Sequence, residues 1–207
     1  MRRSTTLLAL LALTCVLLGG CSLSARPDPS RFFALTPLAD VEASAKTPGA
    51  AEFSLGLGPV KLPGYLDREE LVTRVSQNRF DVSQNDRWLE PLEENFTRVL
   101  AQNLSALLRT DRIVRYPWPH NQRPGYQVEI EVLRFEPDPQ QEVQLSARWA
   151  VVDTGSKQAL SVKNSRLTRQ AKGKSGEALV AAMSEALGDF SREIADALRT
   201  LARQPRP

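Results

Sequence analysis

The chain has 207 residues, 42% of them hydrophobic and 25% charged, with a formal net charge of +3 at neutral pH. A single histidine excludes a two-histidine metal site, and the near balance of charge argues against a nucleic-acid partner.

Met1-Arg2-Arg3 precedes an apolar run from Leu7 to Leu18 that closes on Gly19-Gly20-Cys21, matching the charged, apolar and small-residue regions of a secretory signal. The run is about a dozen residues, whereas a spanning helix needs roughly 20. Residues 1–20 therefore read as a cleaved signal peptide rather than a retained transmembrane helix. Leu18-Gly19-Gly20-Cys21 resembles the bacterial lipobox, in which an aliphatic and two small residues precede a cysteine that is acylated and then exposed by cleavage. Cys15, preceded by Ala12-Leu13-Thr14, fits that pattern poorly. Lipidation is expected at Cys21. Each buried methylene is worth about 0.8 kcal/mol, so three acyl chains, palmitate among them, would anchor the domain almost permanently. Ser22, standing where an aspartate resembles an inner-membrane retention signal, points to the outer membrane.

Removing the first 20 of 207 residues leaves 187, the size of one domain with a real core. Losing Arg2 and Arg3 lowers the 27 basic residues to 25 against 24 acidic, a net charge of about +1. With Cys21 acylated no thiol is left for a disulfide, so packing has to supply the stability.

After the lipidated Cys21, the polar, proline-containing stretch to Ser30 reads as a tether reaching about 30 Å. Residues 31–207 follow as a single periplasmic domain. Arg31-Phe32-Phe33-Ala34-Leu35 is predicted as a first strand, Asp40 to Ala51 as a loop, and the alternating Phe53, Leu55 and Leu57 as a half-buried strand. Glu69 to Val75 reads as another strand, and Asn78 to Asp86 as a polar turn region. A helix is predicted from Trp88 or Leu89, with Pro91 in its first turn and Glu90, Glu93 and Glu94 where the dipole favours negative charge. Leu92, Phe96, Val99, Leu100, Asn103, Leu104, Leu107 and Leu108 recur at spacings of three and four and give it one apolar face.

Ile113-Val114 is a candidate short strand, and Tyr116 to Pro124 a proline-rich loop. The period then changes to two. Tyr126, Val128, Ile130 and Val132 alternate with polar residues, as do Val143, Leu145, Ala147, Trp149 and Val151. Asp153-Thr154-Gly155-Ser156 reads as a hairpin turn and Gln158 to Leu167 as a third strand of an antiparallel meander. From Ser175 to Arg203, Leu179, Met183, Leu187, Phe190, Ile194, Leu198 and Leu201 mark a long amphipathic helix that Ser175 can cap. The fold class expected is α/β in the α+β sense: a mixed, largely antiparallel sheet covered by two main amphipathic helices.

Catalytic chemistry is sparse. His120 is the only histidine and lies in the proline-rich loop, where a solvated side chain is the ordinary outcome; a hydrolase would have to use it. Neither a Walker-type loop nor a dinucleotide turn occurs, since Gly56 and Gly58 lie within a strand pattern. No catalytic, metal or cofactor site is expected, and an enzyme is disfavoured.

Gly58-Pro59-Val60-Lys61-Leu62-Pro63-Gly64-Tyr65-Leu66-Asp67-Arg68, followed by Leu71-Val72-Thr73-Arg74, resembles the signature of the ABC-transport auxiliary lipoproteins of the PqiC/YmbA type. Arg87-Trp88-Leu89-Glu90-Pro91-Leu92 with Arg98 to Leu104, then Tyr116-Pro117-Trp118 and Arg134-Phe135-Glu136, agree in the same order. Leu89 departs from the alanine of many relatives, and the Asp40 to Ala51 loop has no clear counterpart. The resemblance implies a non-catalytic outer-membrane subunit that docks an MCE-type periplasmic protein of an inner-membrane lipid transport system, supports envelope integrity, and forms a ring of copies. The alternative is a lipoprotein that braces an outer-membrane complex without a transport role.

Leu62-Pro63-Gly64-Tyr65-Leu66 has the composition of a stiff docking turn. The candidate partner-docking residues are Leu62, Pro63, Tyr65, Leu66, Asp67, Arg68, Trp88, Tyr116 and Trp118. Against that stands a turn in which Tyr65 and Leu66 pack on the core and Asp67 with Arg68 forms an ion pair or cap. For Trp88 and Trp118 core packing is favoured over partner contact, since aromatic residues bury large areas.

Overall fold

A computed structural model describes residues 28–38, 54–119 and 121–203. The signal, the lipobox with Cys21, the tether up to residue 27, the Asp40 to Ala51 loop, Phe53 and His120 lie outside the described residues.

Two sheets share one core. The larger has five strands in the order β5-β2-β6-β7-β8. Three of them form the expected meander: β6 (Tyr126–Pro137), β7 (Glu142–Asp153) and β8 (Ala159–Gln170). Val128 opposes Val151 and Ile130 opposes Trp149, so the apolar alternants of β6 and β7 share one face. β2 (Leu55–Lys61) joins parallel to β6 on one side and to β5 (Ile113–Arg115) on the other, which makes the sheet mixed. The smaller sheet, in the order β1-β4-β3, combines β1 (Arg31–Phe33), β3 (Glu70–Arg74) and β4 (Phe80–Trp88).

β4 corrects the prediction of a polar turn over Asn78 to Asp86. Phe80-Asp-Val-Ser-Gln-Asn-Asp-Arg-Trp88 carries no clean alternation, because an irregularity in its pairing with β3 interrupts the pleat. The first helix is corrected too. α1 runs from Leu92 to Leu108 with Pro91 at its N-cap, while Trp88 ends β4. Glu93 and Glu94 occupy the first turn as expected, but Glu90 precedes the helix. Its carboxylate accepts from Arg98 and from the Asn95 side chain, and the Arg98 bond foremost holds its pKa below the usual carboxylate range.

α2 (Gly176–Ala202) begins as predicted, Ser175 Oγ accepting the Ala178 amide at 3.2 Å. Both helices lie on the same face of the large sheet. Phe96 meets Phe135 edge-on at 5.3 Å between ring centroids, and Phe190 meets Trp149 edge-on at 6.2 Å. Two buried asparagines on α1 do work that a strand would otherwise do. The Asn95 and Asn103 side-chain carbonyls accept the amides of Leu35 and Leu38 at 2.7 and 2.9 Å, and Asn103 also donates to Ser191 of α2. Ser184 of α2 accepts the Thr36 amide between them. The chain after β1 is thereby bonded to both helices although no strand partners it.

Candidate docking surface

The signature stretch spans the join between the two sheets. β2 ends at Lys61, residues Gly64–Leu66 form one turn of 3-10 helix, and β3 starts at Glu70. The turn closes through bonds from the Leu66 amide to the Pro63 carbonyl and from the Asp67 amide to the Gly64 carbonyl. Leu66 is buried, and with Leu71, Val72 and Trp88 it lines a void of about 10 Å³ closed by Leu179 and Met183 of α2.

Tyr65 is half-buried and points at Glu136 near the end of β6. Glu136 is fully buried. It accepts four bonds: the Tyr65 hydroxyl at 2.7 Å, Arg74 Nε at 2.7 Å, Arg134 Nε at 3.0 Å, and the Phe135 amide at 2.9 Å. A buried carboxylate is costly unless paired and hydrogen-bonded, and this one is both. The Arg74 guanidinium also lies over the Phe80 ring, 4.3 Å from its centroid, and Phe80 stacks obliquely on Tyr65 at 4.8 Å. Burial, then the Glu136 bond and charge, push the Tyr65 phenol well above its ordinary value. Burial works against the Arg74 charge, but the Glu136 bond and charge outweigh it and raise its pKa. The turn is thus fixed from beneath by an acid, two arginines and two rings.

The second cluster lies at the start of β2. The Trp118 ring rests on Gly56: a Cβ there would come within 2.8 Å of Trp118 Cζ3 and of Pro124 Cγ. Gly58 has φ of +111°, and a Cβ on it would meet Tyr116 Cβ at 3.0 Å, so both glycines are required by close approach. The Tyr116 amide donates to the Leu57 carbonyl at 2.8 Å, and the Tyr116 and Trp118 rings meet edge-on at 5.6 Å.

The structure therefore separates the predicted docking residues. Leu66 and Trp88 are buried and present no surface, a correction to their candidacy. Leu62 and Tyr65 are half-buried against the core. Pro63 and Trp118 are partly exposed, while Asp67, Arg68 and Tyr116 are exposed, Tyr116 to 56%. Arg68 pairs with Glu70 at 3.2 Å, whereas the Asp67 backbone caps the turn. Sequence reasoning missed the roles of Arg74, Phe80 and Glu136. No pattern in the sequence marked them: an irregularity after Val132 shifts the register, and Phe135, Glu136 and Pro137 are buried in succession. Among the described residues no group of three or more His, Cys, Asp or Glu could hold a metal ion, and no helix is long and apolar enough to cross a membrane.

Comparison with known proteins agrees in family and in fold. The model of the family described as the ABC-type transport auxiliary lipoprotein component matches residues 33–195. Among solved structures, that of an uncharacterized protein superposes with a TM-score of 0.67 at 18% identity, covering 82% of this chain and 98% of the other. Protein XCC0632 from Xanthomonas campestris superposes with a TM-score of 0.65 at 15% identity, covering 80% and 93%. No curated protein matches the chain.

Proposed function

The chain belongs to the family of ABC-type transport auxiliary lipoprotein components, and from that membership we propose that it is the outer-membrane subunit of an MCE-type lipid transport system. A lipoprotein component of this kind is membrane-anchored and works with partner proteins of the transporter. In the proposed reading the anchor is the acylated Cys21. The subunit is non-catalytic, carries no cofactor, and docks the end of a periplasm-spanning MCE assembly as a ring of copies, so supporting envelope integrity.

The observation that carries the docking role is the fixed signature turn. A turn braced by Glu136, Arg74 and Tyr65 loses little freedom when a partner meets it, and such pre-organisation favours binding. Its exposed residues, Asp67 and Arg68, and the exposed Tyr116 with the partly exposed Trp118 supply charge and aromatic area to the two ends of β2.

Crosslinking and affinity purification of the lipidated protein from envelope fractions tests this. Tyr116→Ala and an Asp67→Lys, Arg68→Glu pair are the useful variants, since Leu66→Asp would place a charge in the core and report on folding. An MCE-type protein recovered with the wild type and lost from folded variants supports the reading. Recovery of outer-membrane or cell-wall proteins alone, with no MCE-type protein, overturns it in favour of a bracing role.

A further inference from the structure

The chain enters the domain at Asp28, whose carboxylate accepts the Ser30 amide and hydroxyl at 3.0 and 2.7 Å. β1, the edge strand of the small sheet, follows at Arg31. Alternation turns Phe33 and Trp88 toward the core and leaves Phe32 outside, and Leu89 stands exposed in the bend that follows β4. These are the two most exposed large apolar side chains among the described residues, 59% for Phe32 and 69% for Leu89.

The two belong to one place. Phe32 is paired with Arg87 in the parallel β1–β4 register, and the Leu89 amide donates to the Phe33 carbonyl at 2.9 Å. Arg31 and Arg87, bonded to Asp86 and Glu69, flank them with long stems suited to carrying charge past an apolar surface. Six residues separate Cys21 from Asp28, and the seven steps between them span at most about 25 Å. A domain on so short a leash turns toward the bilayer the side from which the leash leaves, and that side carries the exposed phenylalanine and leucine.

We propose that the outer face of the β1–β4 pair rests on the phospholipid leaflet that holds the Cys21 acyl chains, with Phe32 and Leu89 entering the boundary between headgroups and acyl chains. The inference rests on the acylation of Cys21 in the proposed function, and it adds an orientation. The domain stands on its small sheet with the acyl chains and the two side chains in the same leaflet.

The test uses the acylated mature protein, which begins at Cys21. With Cys21 blocked by its lipid, a thiol introduced by Phe32→Cys, Leu89→Cys or, as control, Val162→Cys is the only one free for a polarity-sensitive fluorophore. Val162 is 55% exposed on the edge strand of the other sheet. The proteins are reconstituted into phosphatidylethanolamine–phosphatidylglycerol vesicles, with or without lipid spin-labelled near the headgroup. The expected result is a blue shift and quenching by the spin label at positions 32 and 89, and water-like, unquenched emission at 162. Vesicle-bound protein with water-like emission at all three positions overturns the orientation and leaves the anchor intact. A blue shift at 32 and 89 without lipid quenching also overturns it, because protein then covers the face. Failure to float with vesicles, together with an unacylated mass for the mature chain, takes down the anchor reading and the orientation with it.

Discussion

The five-stranded sheet and the three-stranded sheet are stabilised by different physics. In the first, β6 and β7 alternate from Tyr126 to Val132 and from Ala147 to Val151 and press Val128, Leu145 and Trp149 against two helices, so apolar burial dominates. In the second, short strands with a pairing irregularity and a polar composition lean on a fully buried carboxylate and its partners. Apolar packing tolerates small shifts in position, whereas a buried acid holds its neighbours only at hydrogen-bonding distance. That makes the charged region the one suited to keeping the signature turn in a single shape.

The contrast can be broken at either end. The largest loss is expected for Phe190→Ala, which empties the space between Phe96 and Trp149 and should cost about 4 kcal/mol in denaturant unfolding. Glu136→Ala comes next, at roughly 3 kcal/mol, and unlike the first it should expose residues 62–74 to protease before the domain unfolds. Equal protection of that segment in both variants would erase the distinction between the regions. Tyr65→Phe should cost about 1.5 kcal/mol near neutrality, the worth of a bond to a charged acceptor. It also carries a pH signature. The folded state keeps a phenolic proton that an unfolded tyrosine releases near pH 10. Stability from this group is therefore full below about pH 10 and is lost as the pH rises toward the folded value, so the alkaline fall in melting temperature should be shallower in Tyr65→Phe. The smallest effect is expected for Ser175→Ala, about 1 kcal/mol from a single helix cap, read as a lowered melting temperature with the signature turn undisturbed.

This division also separates what was legible in the sequence from what was not. The alternation from Tyr126 and from Val143, and the three-and-four spacing along α2, identify elements directly because one face of each meets a continuous apolar core. β4 was invisible because Asp81, Gln84 and Asn85 follow neighbours in a small irregular sheet rather than a two-sided pattern. The parallel entries of β2 beside β6 and of β1 beside β4 depend on contacts between distant residues, which local periodicity does not encode. In the candidate docking surface the turn and the Tyr116–Trp118 pair were visible as composition. The Glu136 support was not, because a glutamate near the end of a strand reads as a solvated side chain until register places it inside. The family itself was readable from the signature, and the cysteine that the lipobox singles out lies among residues 1–27, outside the described structure.

The asparagine bonds along α1 bear on how the domain responds to being pulled. Leu35, Thr36 and Leu38 are held by Asn95, Ser184 and Asn103 in succession, ahead of any load that reaches the core. With the anchor proposed at Cys21, tension entering at Asp28 meets β1 and then these three ties one after another, so the first fixed point is the fold's own edge. In the proposed anchoring at Cys21, lengthening the stretch before Asp28 would change how far the signature turn stands from the bilayer without altering the turn itself.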